Sequence, residues 1–250
     1  MKNTVERFSN RVENYVKYRP DYPREIIAYL EANCGLTKDS VIADIGCGTG
    51  ISSQMFLENG NRVIGVEPNA SMRCMAEVVL GMTDFWVLDG TSDNTTITDA
   101  SVDMVVAAQA FHWFDAEKAR KEFKRILRPG GYVVLIWNER QLDTTPFLIE
   151  YEAFLIKYAN DYGNVRHENI REKELSDFFQ KEYGSVTFPN VQVFDFEALM
   201  GRMLSSSYMP NETAPIFDEM IDELRLLFAK YAENDRINVL YDTRGYYSQI

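Results

Sequence analysis

The stretch VIADIGCGTG, residues 41–50, decides the fold. Its first half, VIADI, has the length and the Val/Ile content of a buried strand, and a glycine-rich turn follows at once. Glycine at positions 46, 48 and 50 leaves the backbone bare where a ligand would lie against it. We therefore predict a strand that ends at a ligand-binding turn, with a helix beginning after the turn.

Four further segments of strand length follow in the first part of the chain. They are RVIGVE at 62–67, a candidate strand at 85–89, MVVAAQA at 104–110 and YVVLIW at 132–137. Helices are predicted between them at 52–59, 70–80 and 116–127. Alternating strands and helices are typical of a parallel sheet with crossover helices. The sequence therefore predicts an α/β fold with a doubly wound, mostly parallel sheet.

Both flanks of this core have helical patterns. We predict an N-terminal helical cap at 1–35, the ligand-binding core at 36–140, and a helical lid with sheet-closing strands at 141–250 that packs on the core. Within the cap, one helix is expected at 2–18 and another runs to Cys34, with Gly35 ending it. The last segment has helical candidates at 147–158, 171–182, 197–203 and 214–232, and strand candidates at 186–196 and 237–247. The second of these strands is expected at the edge of the sheet.

The composition narrows the classes of partner. The 250 residues include 26 Lys and Arg against 38 Asp and Glu, a formal charge of -12, so nucleic acid is not expected as a partner. Three cysteines and two histidines without a CxxC pair argue against a disulfide scaffold and a metal site. No signal peptide and no run of about 20 apolar residues is evident. We expect a cytoplasmic protein without a membrane partner; the oligomeric state is left open.

Three acidic residues end successive predicted strands: Asp44, Glu67 and Asp89. The carboxyl ends of parallel strands meet at one edge of a sheet, where such folds bind ligands. A carboxylate at Glu67 can accept two hydrogen bonds from a ribose diol. Three carboxylates repel a pyrophosphate but suit a cation that carries a ribose and an adenine. The glycines also depart from the dinucleotide pattern GxGxxG, because position 51 is isoleucine.

These motifs, in this order, resemble those of class I S-adenosylmethionine-dependent methyltransferases. The resemblance covers about residues 40–138 and rests on DIGCGTG, VEPN at 66–69, the Asp89 strand end, SVDMVVAAQAFHWFD at 101–115 and RILRPGGYVVLIW at 125–137. More narrowly, FSNRVENYVKYRPDYP at 8–23, AFHWF at 110–114 and SSSYMP at 205–210 are similar to type 11 methyltransferases of the trans-aconitate methyltransferase-like, small-molecule subgroup. The resemblance implies a Rossmann-like core, S-adenosylmethionine as the cofactor and S-adenosylhomocysteine as its product.

The resemblance also implies which residues bind the cofactor. The loop around Gly48 would line the methionine portion, Glu67 would hold the ribose hydroxyls, and Asp89 would accept a hydrogen bond from the adenine amine. Gln109 would border the methionine amino group, and Arg19 would pair with the methionine carboxylate. The candidate set is Asp44, Gly46, Cys47, Gly48, Thr49, Gly50, Glu67, Pro68, Asp89, Gly90, Gln109 and Ala110, with Tyr15, Tyr18 and Arg19 closing over the cofactor from the N-terminal helix.

The predicted reaction is methyl transfer to a small-molecule acceptor, with a carboxylate oxygen as the expected atom. The sulfonium donor is already activated, so positioning matters most and the sequence demands no general base. The catalytic residue is left unknown; His112, between Phe111 and Trp113, is the candidate, with packing as its alternative role. The stretch AQAFHW replaces the NPPY-type tetrapeptide of amine and amide methyltransferases, which argues against DNA and protein-amide acceptors. Candidates to clamp an acidic acceptor are Arg19, Arg140, Arg202 and Arg244.

Two other functions stay open at this point. An NAD-dependent oxidoreductase shares the general fold, although Ile51 and the three acidic strand ends disfavour it. A module that binds S-adenosylmethionine without turning it over would keep the same cofactor residues.

Overall fold

The computed structural model describes residues 16–160, 172–206 and 208–250. Within these ranges, seven strands form one sheet in the order β3-β2-β1-β4-β5-β7-β6. The strands are β1 Val41–Ile45, β2 Arg62–Val66, β3 Phe85–Leu88, β4 Val102–Ala108, β5 Leu127–Arg140, β6 Gly184–Phe194 and β7 Ile237–Gln249. The first five strands pair in parallel, and β7 runs antiparallel to both β5 and β6. The predicted doubly wound, mostly parallel sheet is confirmed.

Helices lie between the strands and after the fifth strand. Among the described residues they are α1 Glu25–Cys34, α2 Ile51–Asn59, α3 Ala70–Leu80, α4 Ala116–Ile126, α5 Pro146–Tyr158, α6 Glu172–Phe179, α7 Phe196–Leu204 and α8 Phe217–Tyr231. A short 3₁₀ turn spans Phe111–Trp113. The helix expected at 2–18 falls almost wholly outside the described residues, which include only its last three positions, all helical. No described helix is long and apolar enough to span a lipid bilayer.

The sequence prediction places the strand at 237–247 at the edge of the sheet, and this is wrong. The strand exists as β7, but it lies between β5 and β6, and β6 forms the edge. The sequence of β6 explains the order, because Pro189 in its middle has no N–H to donate and is tolerated on an edge strand. The neighbouring β7 instead alternates buried side chains along its length, as a strand paired on both sides does.

The core consists of two apolar layers, one on each face of the sheet, and a third cluster under the last helices. Alternate residues of β5 point to opposite faces: Trp137 packs with α4 and α6 on one face, and Ile136 packs with α1, α2 and α3 on the other. The third cluster joins α5, α7 and α8 to the adjoining ends of β6 and β7. These helices therefore cover the edge of the sheet where β1 to β5 end.

A buried glutamate on α4 fastens the loop that follows β3. Glu122 Oε1 accepts hydrogen bonds from the backbone N (2.8 Å) and the Oγ1 (2.6 Å) of Thr95. Arg125, one turn further along the helix, donates Nε to Glu122 Oε2 at 2.8 Å and Nη2 to Oε1 at 2.7 Å. The hydrogen bonds from Arg125 lower the pKa of Glu122 to about 2.

We predict that E122Q lowers the free energy of unfolding by about 1–3 kcal/mol at pH 7, because the amide loses the charge-assisted bonds to Arg125. The pKa of Glu122 is lower in the folded chain than in the unfolded one. Its stabilisation is therefore complete above about pH 5 and is lost as the pH falls towards 2. Urea unfolding at pH 7 and pH 3 measures both effects. E117Q is the control, since Glu117 pairs with Lys121 on the exposed face of the same helix. Equal losses in the two variants would contradict the prediction.

Candidate functional site

The glycine loop lies where β1 ends and α2 begins. The backbone N of Gly46 donates to the carbonyl of Val66 at 2.7 Å, which ties the loop to the end of β2. Gly48 has φ +58, and the space into which a side chain would project is open. Gly50 has φ +89, and a Cβ there would lie 2.3 Å from Leu80 Cδ1. Glycine at these two positions therefore gives the turn its shape and lets α3 pack against it.

Asp44 is fully buried at the end of β1 and anchors the first turn of α2. Its Oδ2 accepts hydrogen bonds from the hydroxyls of Ser52 and Ser53, both at 2.6 Å. Burial raises the pKa of Asp44 to about 6, although the two serine hydroxyls lower it. The carboxylate is thus costly in the absence of a nearby positive charge, and its environment favours a cation.

Glu67 follows β2 and is fixed by backbone amides from two sides. Its Oε2 accepts from Gly48 N at 3.0 Å, and its Oε1 accepts from Asn69 N at 2.8 Å. Burial raises the pKa of Glu67, while these two amides lower it. Pro68, next along, is exposed. Each carboxylate oxygen has a second lone pair, so Glu67 can accept further hydrogen bonds from a ligand diol.

Asp89 directly follows β3, one residue after the strand ends at Leu88, and its carboxylate is exposed. Arg73 of α3 donates Nη2 to Asp89 Oδ2 at 2.9 Å and Nη1 to the carbonyl of Glu67 at 2.7 Å. Gly90 is closely surrounded, because a Cβ there would lie 3.0 Å from the carbonyl oxygens of Asn94 and Thr95. Arg73 was not predicted from the sequence; its position as the fourth residue of α3, the helix that follows the Glu67 strand end, was the available signal.

A narrow pocket with a volume of ≈30 Å³ opens beside the glycine loop. Its walls are the N-terminal segment, the glycine loop with the start of α2, the end of β4 and α7. The lining residues are Arg19, Pro20, Tyr22, Gly46, Cys47, Ile51, Ser52, Ala108, Gln109 and Arg202. Cys47 and Thr49 are buried within the loop itself. The pocket therefore brings one end of the predicted cofactor site together with two of the four candidate arginines.

Gln109 and Ala110 directly follow β4, and Gln109 lines the pocket. Gln109 has φ +55, and its Nε2 donates to the carbonyl of Asn138 at 2.8 Å. The side chain of Ala110 is buried against the loop, since a Cβ on Gly46 would lie 2.7 Å from Ala110 Cβ.

The N-terminal segment lines the pocket and is held by contacts with β6 and with the chain around α7. Arg19 Nη2 donates to the carbonyl of Ser205 at 3.0 Å, and Gln192 donates to the carbonyl of Tyr18 at 3.1 Å. The ring of Tyr18 lies on Gly201, where a Cβ would come within 2.1 Å of it, and does not line the pocket. Tyr15 lies outside the described residues.

The other candidate arginines are engaged elsewhere. Arg140 forms a buried ion pair with Glu152 and lies over the ring of Tyr151. Arg244 pairs with Glu139 at 3.0 Å and is half exposed. His112 lies in the 3₁₀ turn with its ring 4.7 Å from that of Trp113, outside the residues that line the pocket.

Three buried polar atoms around the loop have no hydrogen-bond partner among the described residues: Asp44 Oδ1, Thr49 Oγ1 and Gln109 Oε1. Carboxylate and amide oxygens only accept hydrogen bonds, and a hydroxyl can do either. A buried acceptor without a donor is costly. The loop therefore fits a ligand that brings N–H or O–H donors and a positive charge, as the methionine ammonium of S-adenosylmethionine would, and it disfavours a phosphate.

Comparison with known proteins gives the same class of function. Residues 43–135 match the family model of a methyltransferase domain. An uncharacterized methyltransferase-like protein of Schizosaccharomyces pombe is 27% identical over 98% of this chain and 96% of its own length. A protein of Saccharomyces cerevisiae, named a probable S-adenosylmethionine-dependent methyltransferase, is 31% identical over 64% of this chain and 56% of its own length.

A solved structure shows the same fold. A protein of Anaeromyxobacter dehalogenans, named a type II methyltransferase, has a TM-score of 0.67 at 19% identity and covers 93% of this chain and 98% of its own. The matched domain contains the glycine loop, Glu67, Asp89 and Gln109 but not Arg202. The comparisons therefore support a methyltransferase and not an NAD-dependent oxidoreductase.

Asp44 predicts a pH dependence of cofactor affinity. Because the carboxyl of the ligand-free chain titrates near pH 6, the affinity for S-adenosylmethionine should rise from pH 5 to pH 7 as Asp44 ionises. D44N should bind more weakly at pH 7 and lose most of this pH dependence. Calorimetric titration at three pH values measures both. D103N is the control, since Asp103 accepts from Val41 N at the other end of β1. An unchanged pH profile in D44N would contradict the role.

We predict that the substitution E67Q weakens binding of S-adenosylhomocysteine and leaves the fold intact. In E67Q an amide NH₂ faces the N–H of Gly48 or Asn69, so the loop loses a hydrogen bond and a ribose loses an acceptor. We expect the Kd for S-adenosylhomocysteine to rise by about tenfold or more. Calorimetry measures it, with E58Q as the control, since Glu58 pairs with Arg24 on the exposed side of α2. Wild-type affinity in E67Q would show that this carboxylate does not contact the cofactor.

Proposed function

We propose that the chain is a class I S-adenosylmethionine-dependent methyltransferase and that it methylates a carboxylate oxygen of a small organic acid. The observation that carries the acceptor class is Arg202. This arginine lines the pocket beside the glycine loop, yet it has no carboxylate partner among the described residues.

The cofactor placement in this proposal follows the fit described above. Asp44 and the glycine loop would hold the methionine end, Glu67 the ribose hydroxyls, and Asp89 the adenine amine. Gln109 Oε1 supplies an acceptor for the amino group. When bound, S-adenosylmethionine supplies a methyl group already activated on a sulfonium, and S-adenosylhomocysteine leaves. The chain itself has to bind, orient and exclude water.

The surroundings of Arg202 support recognition of an anion. Its Nε donates to the Tyr241 hydroxyl at 3.3 Å and its Nη1 donates to Ser206 Oγ at 3.1 Å. Both partners are neutral, and no acidic side chain in the described part of the chain pairs with this guanidinium. A guanidinium binds a carboxylate through charge-assisted, often bidentate hydrogen bonds. A carboxylate is therefore the acceptor class that best satisfies Arg202.

The N-terminal segment, which packs against α7, adds a second positive group. Arg19 lines the same pocket from the N-terminal segment, and its Nη2 donates to the carbonyl of Ser205 on the chain just after α7. The two arginines face a pocket whose other walls are the glycine loop and Gln109. This arrangement supports an anionic acceptor placed against the methyl-bearing end of the cofactor.

The chemistry of a carboxylate also suits a site without a catalytic base. A carboxylate is ionised at neutral pH and holds a free lone pair, so no proton has to be removed before transfer. Holding two reactants in line supplies roughly 7–11 kcal/mol of the barrier reduction. The arginine clamp performs this positioning, and His112 has no role in the proposal.

The proposal predicts methyl-ester formation that depends on Arg202. Incubation with S-adenosylmethionine and a panel of small carboxylic acids, alcohols and amines should release S-adenosylhomocysteine with acids, and the product should be a base-labile methyl ester. In R202M the KM for the acid should rise by about tenfold or more, because a charge-assisted contact is lost, while cofactor affinity changes little.

R244M is the matched control, since Arg244 is another candidate arginine that pairs with Glu139 outside the pocket. It should keep the KM of the wild type. Turnover with amines or alcohols only would overturn the acceptor class. Turnover with acids at an unchanged KM in R202M would keep the acceptor class and remove Arg202 from its recognition.

A further inference from the structure

We propose that Arg73 is a positioning residue for the adenosine end of the cofactor, acting through Glu67 and Asp89. The inference rests on the cofactor placement under the proposed function, and it assigns a residue that lies outside the glycine loop. If Arg73 has this role, the chain should bind a cofactor with a 6-aminopurine more tightly than one that lacks the exocyclic amine.

Arg73 occupies a fixed place at the start of α3. The helix begins at Ala70, and the Asn69 side chain caps it by accepting from the backbone N of Ser71 (2.9 Å) and Met72 (3.1 Å). The Arg73 side chain is 18% exposed, whereas its partner Asp89 is 74% exposed. The guanidinium is therefore packed in place before any ligand arrives, and it holds a side chain that solvent would otherwise leave mobile.

One guanidinium joins the ends of two neighbouring strands. Nη1 donates to the backbone carbonyl of Glu67, directly after β2, and Nη2 donates to the carboxylate of Asp89, directly after β3. Asp89 accepts from no other group among the described residues. With Oδ2 on Arg73, the Oδ1 atom stays available to an N–H donor such as the adenine amine. Arg73 thus selects one orientation of the Asp89 carboxylate.

The same contact sets the spacing of the two acids that would hold adjacent parts of one nucleoside. The Glu67 carboxylate is fixed by Gly48 N and Asn69 N, while its carbonyl is fixed by Arg73. Positioning of this kind needs the planar fork of arginine, because two acceptors on different strands are engaged at once. A lysine at position 73 has one ammonium and can satisfy only part of this geometry.

The experiment compares R73A, R73K, D89A and the double variant R73A/D89A by calorimetric titration with S-adenosylhomocysteine and with its deaminated analogue, S-inosylhomocysteine. Arg62→Ala is the matched control, because Arg62 bridges to Asp84 at 3.4 Å across the opposite ends of the same two strands. Thermal unfolding of every variant checks the fold, and KM for the acceptor is measured at saturating cofactor.

We expect R73A to weaken S-adenosylhomocysteine binding by about tenfold, R73K to recover part of it, and R62A to bind as the wild type does. In R73A the preference for S-adenosylhomocysteine over the deaminated analogue should fall, and the effects of R73A and D89A should be strongly non-additive. The acceptor KM should stay unchanged, which separates positioning of the adenosine end from a general loosening of the fold.

Three outcomes would overturn the inference. One is equal affinity in R73A and R62A, another is an unchanged preference between the two ligands in R73A, and the third is simple additivity of R73A and D89A. If the wild-type chain bound neither ligand, the cofactor placement of the proposed function would fail first. If the wild-type chain bound S-adenosylhomocysteine and any of the three outcomes above were found, the role of Arg73 would be wrong but the cofactor placement would stand.

Discussion

The burial of one carboxylate, Asp44, is the constraint on which the rest of the site depends. A carboxylate at the end of a central parallel strand can stay in the interior only if nearby groups donate to it, and the hydroxyls of Ser52 and Ser53 do so. Both serines lie in the first turn of α2, so the chain has to turn sharply within five residues. Glycine at positions 48 and 50 makes that turn possible, and the turn leaves bare backbone beside an acid. The hydrogen bonds that stabilise the buried Asp44 carboxylate therefore also determine the shape of the loop.

The parts of the fold that the sequence predicted are those that short stretches determine. The Val/Ile runs, the glycine turn and the acids at strand ends follow from local pattern, and all three lie where the spacing placed them. The order of the last two strands is set by pairing between residues far apart in the chain, and only Pro189 hints at it. A helix such as α6 is visible as a pattern, but its packing on the same face as α4 depends on Phe178 and Phe179 finding partners on distant elements.

The same division applies to the site. Glu67 and Asp89 are predicted because strand ends converge on one edge of the sheet, a consequence of topology alone. Arg202 was one of four arginines that the sequence could not rank, because the difference between them lies in their partners: Arg140 faces Glu152 and Arg244 faces Glu139, whereas Arg202 faces two hydroxyls. Arg73 was not predicted, because its role depends on hydrogen bonds to residues at the ends of two different strands. Acidic residues at strand ends can be predicted from the sequence. Which arginine side chains already form ion pairs cannot, because their partners lie far away in the chain.

The charges of the site are separated in a way that matches the proposed reaction. Asp44, Glu67 and Asp89 lie along the ends of β1 to β3. Arg19 of the N-terminal segment and Arg202 of α7 line the pocket beside the glycine loop. In the proposed reaction, a positively charged donor would lie near the first group and an anionic acceptor near the second. Transfer of a methyl cation would cancel both reactant charges, and exclusion of water would let them attract each other with little screening. Reversing either group of charges would place like charges together, and for this reason the proposed acceptor is an acid and not an amine.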